Sequence, residues 1–403
     1  MTVEPGLQRY YKGIPRSVWA LGFVSMLMDI SSEMIHALLP LYLVTVLGIS
    51  ALAVGLIEGI AEATAMIVKI FSGALSDWLG RRKVLAVLGY GLGALSKPIF
   101  PLASGIGWLV GARFIDRVGK GTRGAPRDAL VADLAPADLR GASFGLRQSL
   151  DTIGSFTGPL LAMLLMALTL NSFTTVFWIA VIPAFASVAL LIYAVKEPER
   201  IETATQRPKL KFSDAKRLGR KFWPVVGIAA LLTLARFSEA FLLLKAQNIG
   251  LPLAMIPIVL VVMNIAYMFS AYPAGVMSDR VGRRVMLFIG LGFLVIADLF
   301  LAFGTNYPML ALGVVFWGLH MGFTESLLAT MVADTAPADL RGTAFGVYNL
   351  ACGIALLLAS VIAGALWDSY GPMVTFIAGA TFAAASALAL LWVGTAEARD
   401  QAS

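Results

Sequence analysis

The chain has 403 residues, of which 59% are hydrophobic and 14% charged, with a formal net charge of +7 and a mean hydropathy of +0.82. A soluble domain carries about a quarter charged residues, so this composition excludes one, and runs such as 175–195 and 376–394 reach the roughly 20 apolar residues that span a bilayer. A single cysteine, Cys352, excludes an intrachain disulfide framework and any multi-cysteine metal centre.

Apolar windows separated by Gly, Pro and charge predict twelve spans. Span 1, at 17–47, follows a polar, basic segment with no cleavable leader pattern and contains MDISSEMIHALLP. Asp29, Glu33 and His36 recur there at i, i+4 and i+7, on one helix face. Asp29 lies about 18 Å in from residue 17, near the middle of a ~30 Å hydrocarbon core. Span 2, at 52–78, adds Glu58, expected to be a bystander, and Glu62. Span 3 covers 84–103. Span 4, at 107–126, carries Arg113, Asp116 and Arg117. Span 5, at 139–167, carries Arg147 and Asp151, and span 6 covers 173–195.

A linker at 196–221 holds nine Lys or Arg against four acids. Beyond it, span 7 (222–246) carries Arg236 and Glu239, followed by span 8 (253–279) and span 9 (285–304). Span 10 (308–333) carries His320 and Glu325, and spans 11 (342–368) and 12 (373–394) complete the chain. The connections alternate in charge. Arg81, Arg82 and Lys83 lie after span 2, and Arg280, Arg283 and Arg284 after span 8, whereas the connections at 48–52, 103–107 and 169–173 hold no basic residue. The positive-inside rule therefore puts both termini and the linker on the cytoplasmic side. It also accounts for the net charge without a nucleic-acid partner.

Two phrases repeat. GALSDWLGRRK at 73–83 returns as GVMSDRVGRRV at 275–285, and ADLAPADLRG at 132–141 returns as ADTAPADLRG at 333–342. Two separate phrases repeated some 200 residues apart divide the chain into parallel six-helix halves, 1–195 and 222–403, joined by the basic linker. On these phrases the chain resembles a transporter of the major facilitator superfamily. That family's G-x-L-x-D-x-x-G-R-[KR] signature is met by Gly73, Leu75, Asp77, Gly80, Arg81 and Arg82. It is met again by Gly275, Asp279, Gly282, Arg283 and Arg284, with Met277 in place of Leu. The resemblance implies an all-α membrane fold of twelve transmembrane helices in two parallel six-helix repeats.

Within that resemblance, the signature residues with Arg140 and Arg341 are expected to form a cytoplasmic gate. The two glycines allow close helix contact, the Asp sits at a helix N-terminus, and the arginines meet acids of the repeated phrases. Span 5 reads GSFTGPLLAM. Its Gly154, Gly158 and Pro159 match part of a family motif associated with antiporters, while Ala162 and Met163 replace its last two glycines, so the pattern leans toward proton-coupled export.

Ionisable groups inside a bilayer are costly and mark function. The proton-coupling and substrate cavity is therefore expected to involve Asp29, Glu33, His36, Glu62, Arg113, Asp116, Arg117, Arg147, Asp151, Arg236, Glu239, His320 and Glu325. Asp29 and Glu33 are the leading proton carriers. Charge is concentrated in the first half, since Gly318 and Thr324 stand where span 4 has Arg117 and Arg123. The expected function is secondary transport by alternating access, as proton-coupled export of a small organic compound. The alternatives are a divalent metal exporter using Asp29, Glu33 and His36, a proton-coupled uptake symporter, and a non-transporting receptor or scaffold. No phosphate loop, HExxH or G-x-S-x-G elbow indicates an enzyme. A monomer in a prokaryotic inner membrane, with no cofactor beyond the proton gradient, completes the expectation.

Overall fold

Inside a bilayer a helix satisfies each backbone N–H and C=O within its own segment, and these apolar runs form helices throughout. The computed structural model of the chain describes residues 13–79, 81–136, 139–196, 217–219, 222–337 and 340–402. Span 1 consists of α1 (Arg16–His36) and α2 (Leu39–Thr45), span 2 of α3 (Ala51–Leu79), and span 3 of α4 (Arg82–Ser96) and α5 (Ile99–Leu102). Spans 4 to 6 are α6 (Ile106–Leu134), α7 (Arg140–Leu168) and α8 (Phe173–Ala194). Span 7 consists of α9 (Phe222–Ala235) and α10 (Ala240–Asn248). Spans 8 to 12 are α11 (Ile258–Val281), α12 (Arg283–Phe303), α13 (Tyr307–Thr335), α14 (Arg341–Tyr370) and α15 (Pro372–Ala402).

Among the described residues, eleven helical segments are long and apolar enough to cross a membrane. Helix α6 has the length, at 29 residues, but not the apolar character, because it carries more charged residues than any other of these helices. It also extends further than expected. The sequence reading ended span 4 at 126 and took RDALVADL for loop; the helix runs through Pro126 to Leu134. A proline removes one N–H from the ladder, and here the helix resumes because Leu130 and Val131 are fully buried in the core beside Val18, Leu21 and Tyr90.

Three spans expected to be continuous are broken. Span 1 breaks at Ala37–Leu38 and span 3 at Lys97–Pro98, where the proline has no N–H to continue the ladder. Span 7 breaks at Arg236–Glu239, and the free Ser238 N–H there donates to Ser360 Oγ at 3.2 Å. Such breaks are tolerated in a bilayer when neighbouring side chains take up the freed backbone groups.

The helices cluster into two units. Unit one takes Met1–Leu38 and Thr64–Lys209, and unit two Leu39–Ala63 and Leu210–Ser403, each over its described residues. In unit one α1 packs along α7 and α8, and α4 along α6; in unit two α13 packs along α11 and α12, and α15 along α12 and α9. Segment 39–63 thus packs with unit two, although it precedes the repeat boundary. Most of the linker at 196–221 lies outside the described residues.

Candidate functional site

The site begins with a close helix seam in unit one. A Cβ on Gly154 would stand 2.6 Å from the Met26 carbonyl oxygen and 3.0 Å from Asp29 Cβ; one on Gly158 would stand 2.6 Å from Glu33 Cβ. Only glycine lets α7 lie this near the face of α1 that carries Asp29 and Glu33. Pro159 continues inside the same helix.

Two layers of charge are built on this frame. The deep layer centres on Asp116 of α6. Lys97, at the break of span 3, donates to Asp116 Oδ1 at 2.7 Å and to Ser32 Oγ at 3.0 Å. Arg113 and Arg117 each stand 3.9 Å from Asp116 Oδ2, and all three bases are at least 97% buried. Arg113 also donates through Nη2 to His36 Nδ1 at 2.8 Å. That bond takes up the lone pair a metal would need at that ring nitrogen.

The second layer is partly open. Asp29 of α1 faces Arg123 of α6 at 4.0 Å, and Arg123 stacks over the Tyr90 ring at 5.0 Å from its centroid. Arg127, also on α6, donates to Ser25 Oγ at 2.9 Å and to Asp151 Oδ1 at 3.4 Å, and pairs with Asp128 at 3.1 Å. Arg147 of α7 holds the other Asp151 oxygen at 3.3 Å and lies 3.9 Å from Asp128. Asp29 and Asp151 thus meet neighbouring bases of one α6 face, Arg123 and Arg127, with Arg147 closing on Asp151 from α7.

Unit two carries less. Arg236, at the break of span 7, donates to Glu325 Oε1 at 2.6 Å, and Tyr267 lies within electrostatic reach of Glu325. Glu239 lies within electrostatic reach of Arg236. His320 is fully buried and donates through Nδ1 to the Gly290 carbonyl at 3.2 Å. Asp298 of α12 is completely buried, with neither oxygen hydrogen-bonded among the described residues.

The expected residues are therefore sorted by layer. Asp29 and Asp151 come together with Arg147; Asp116 comes together with Arg113, Arg117 and His36. His36 and Asp29, expected on one metal-binding face, belong to different networks, and the described residues contain no cluster of three or more metal-ligating side chains. Glu62 packs with unit two, and Glu33 lines the α1–α7 seam. Sequence reasoning passed over Lys97, Arg127, Asp128 and Asp298 as site candidates. Lys97 lay within expected span 3 as a lone base before a proline, Arg127 and Asp128 lay past the expected end of span 4, and Asp298 was a lone acid in an apolar run.

At the expected gate, Arg82 donates to the Ala129 carbonyl at 3.0 Å and forms an ion pair with Asp133 of the repeated phrase. Gly282 joins α11 to α12 at φ 95°, a left-handed conformation that suits glycine. Gly73 makes ordinary contact with Ala125. The close contact expected at Gly275 is absent among the described residues, since nothing stands within 4 Å of its Cβ position. Arg81 and Arg140 are exposed, and Arg283 and Arg284 half-buried. Gly80 lies outside the described residues, as do the side chains of Asp77, Asp279 and Arg341.

Comparison with known proteins bears on this arrangement. The family model described as Major Facilitator Superfamily matches residues 21–245 and 226–403. An uncharacterised MFS-type transporter of Methanocaldococcus jannaschii is 33% identical over 391 residues, covering 94% of this chain and 95% of that protein. The inner membrane transport protein YajR of Escherichia coli is 26% identical over 390 residues, covering 93% of this chain and 83% of that protein. Among solved structures, a point mutant of the nucleoside transporter NupG superposes with a TM-score of 0.80 at 15% identity, over 93% of this chain and 98% of that one. A D-xylose–proton symporter superposes with a TM-score of 0.72 at 19% identity, over 94% and 97%. At these identities the structures show the fold alone.

Proposed function

Because the chain belongs to the major facilitator superfamily and is a secondary transporter rather than an enzyme, we propose that it couples a proton to the movement of a small organic solute, with Asp29 and Asp151 as the proton-carrying pair. The observation that carries this reading is the placing of two partly exposed carboxyls, on α1 and α7, against one group of bases, Arg123, Arg127 and Arg147. Neighbouring carboxyls that share a proton titrate as a unit. Their partial exposure, 19% and 21%, gives the proton a way in and out. The deep layer is the less suitable proton carrier, because Asp116 is enclosed by three bases.

The remaining roles are assigned on the same footing. The protein acts as a monomer in a prokaryotic inner membrane, with both termini cytoplasmic and the proton gradient as its energy source; the Lys and Arg distribution supports this sidedness. The Arg82–Asp133 pair belongs to the cytoplasmic gate. Metal export is the weaker reading, since His36 is occupied by Arg113. The α7 glycines that point to export act here by letting α7 approach Asp29, and that packing serves export and uptake alike. The sign of coupling between proton and solute therefore decides direction.

The test is proton movement in liposomes containing the full chain and a pH-sensitive dye, challenged with organic anions, cations and neutral solutes. We expect one solute class to drive proton movement that Asp29→Asn and Asp151→Asn each abolish. Solute binding, read as thermal stabilisation, should survive in both variants; a ligand at 100 times its dissociation constant stabilises by about 2.7 kcal/mol. Solute flux that moves no protons would sink the coupling.

A further inference from the structure

Two acids suffice to hold a proton, yet bases outnumber them in the open layer. Lys120, Gly124 and Arg127 follow one another at i, i+4 and i+7 along one face of α6. Lys69 of α3 lays its side chain across that stripe, with Cε 3.7 Å from where a Gly124 Cβ would stand. Its ammonium feels the charges of Lys120, Arg127, Arg147 and Asp128, and Lys120 is in turn felt by both Asp29 and Asp151. Lys69 and Lys120 are exposed on the protein, and neither has a carboxylate within 4 Å among the described residues. Helices α3 and α6 are spans 2 and 4, and an ammonium is strongly disfavoured in hydrocarbon. These two lysines therefore face water on one side of unit one.

The charge on that side does not balance. Lys69, Lys120, Arg123, Arg127 and Arg147 are set against Asp29, Asp128 and Asp151, and a proton shared between Asp29 and Asp151 removes one of the three negative charges. We propose that this face of unit one binds a small organic anion bearing a carboxylate or phosphate group, and that proton and anion bind together rather than in exchange. The proposal rests on the reading of Asp29 and Asp151 as the proton pair. The guanidinium forks suit a planar or tetrahedral oxyanion, and the lysines supply charge that no described carboxylate pairs with directly. A proton on the carboxyl pair makes this face more positive and so raises its affinity for the anion; by linkage the anion raises its affinity for the proton by the same factor. Coupling then runs in one direction for both, which is uptake with an inward proton gradient.

The groups facing the carboxyl pair are Tyr90 on α4, Lys120, Arg123, Arg127 and Asp128 on α6, and Arg147 on α7, with Lys69 reaching over from α3; α8 brings only hydroxyls and apolar side chains to α1. The test uses the full chain in detergent with benzoate and benzyltrimethylammonium, probes of similar shape and opposite charge, read by thermal stabilisation at pH 5.5 and 7.5. Benzoate at millimolar concentration should stabilise and the cation should not. Benzoate should bind more tightly at pH 5.5, by a factor within the roughly 5- to 150-fold range of such couplings.

Lys69→Gln combined with Lys120→Gln should weaken benzoate at both pH values, and the matching arginine double variant should retain it, which separates lost charge from lost folding. Asp29→Asn combined with Asp151→Asn should bind benzoate equally at both pH values. Stabilisation by the cation alone, or by neither probe, overturns the anion site. If the cation alone stabilises and does so in a pH-dependent way, the proton pair stands while the anion site falls. Benzoate binding without pH dependence keeps the site and removes the shared proton.

Discussion

The two repeats solve one packing problem in opposite ways. In unit one Gly89 lies against the backbone of Arg123, where a Cβ would stand 2.6 Å from its N; in unit two Gly290 meets Thr324 Cγ2 in the same manner at 2.7 Å. Aligned on this contact, Lys97 corresponds to Asp298 and Asp116 to Trp317. Unit one fills the layer with a 2.7 Å ion pair. Unit two fills it with aromatic rings, Phe237 standing 5.5 Å from both Trp317 and Phe376, and with a carboxyl that has no hydrogen-bond partner among the described residues. The fold therefore does not need charge at this level. Where unit one keeps it, packing alone is not the reason, and this asymmetry favours placing the transport site there.

The strongest way to break the comparison is to remove one partner of the ion pair. Lys97→Met keeps the length of the side chain and leaves Asp116 without its nearest base, and orphaning a buried charge costs about 3–5 kcal/mol. Equilibrium unfolding in detergent should show that loss, and adding Asp116→Leu should restore most of it. A single variant as stable as the parent would mean that Arg113 and Arg117 already suffice for Asp116.

Next in size is the seam that presents Asp29 and Glu33. Gly158→Leu puts a branched side chain where even a Cβ would meet Glu33 Cβ at 2.6 Å, and overpacking of this kind costs about 1–3 kcal/mol. Proton movement should fall with it, because α7 carries Asp151 and would be pushed away from Asp29. Ala355 and Ala359 of α14 stand at the matching positions of the second repeat, so Ala359→Leu should cost stability without touching proton coupling. Equal losses of coupling from both variants would remove the distinction between the halves.

How legible all this was depends on range. The spans, the repeat and the acids of α1 and α7 follow from local pattern, because a bilayer imposes length and hydropathy residue by residue. Helix α6 beyond Pro126 was misread because its continuation depends on burying Leu130 and Val131 against α1 and α4, contacts that no local rule contains. The pairing of Lys97 with Asp116 was equally hidden. The two lie on different helices, and nothing local to Lys97 within expected span 3 names its partner. Segment 39–63 packs with unit two through glycines: a Cβ on Gly364 would stand 2.6 Å from the Ala51 carbonyl, and one on Gly59 about as near to Leu357 at 3.0 Å. Sequence order alone assigns that segment to the first half.

A third variant tests the other side of the comparison, with the opposite sign. Asp298→Leu replaces two unbonded oxygens by methyl groups on the same branched skeleton, removing a polar burial of about 1–3 kcal/mol. The protein should gain stability, unlike Lys97→Met at the corresponding position. A clear loss instead would mean that Asp298 has a partner in the folded protein, and the contrast between the layers would disappear.

The smallest effect belongs to a carboxylate of unit two that is exposed and fully engaged. Asp368, near the end of α14, accepts from the Ala51 and Leu52 N–H groups at 2.9 and 2.8 Å, using one oxygen for each. These are first-turn donors of α3, which no intrahelical carbonyl can satisfy, and a carboxylate there also meets the favourable end of the helix dipole. Asp368→Asn keeps one acceptor and loses the charge, so unfolding in detergent should show a cost of about 0.5–1 kcal/mol, screened further by added salt. Taken together, Asp298→Leu and Asp368→Asn make partnership, rather than burial, the variable that sets the sign. The exposed acid with two donors stabilises the fold and the buried acid with none weakens it, so a gain from Asp368→Asn would refute that ordering more directly than any change in its size.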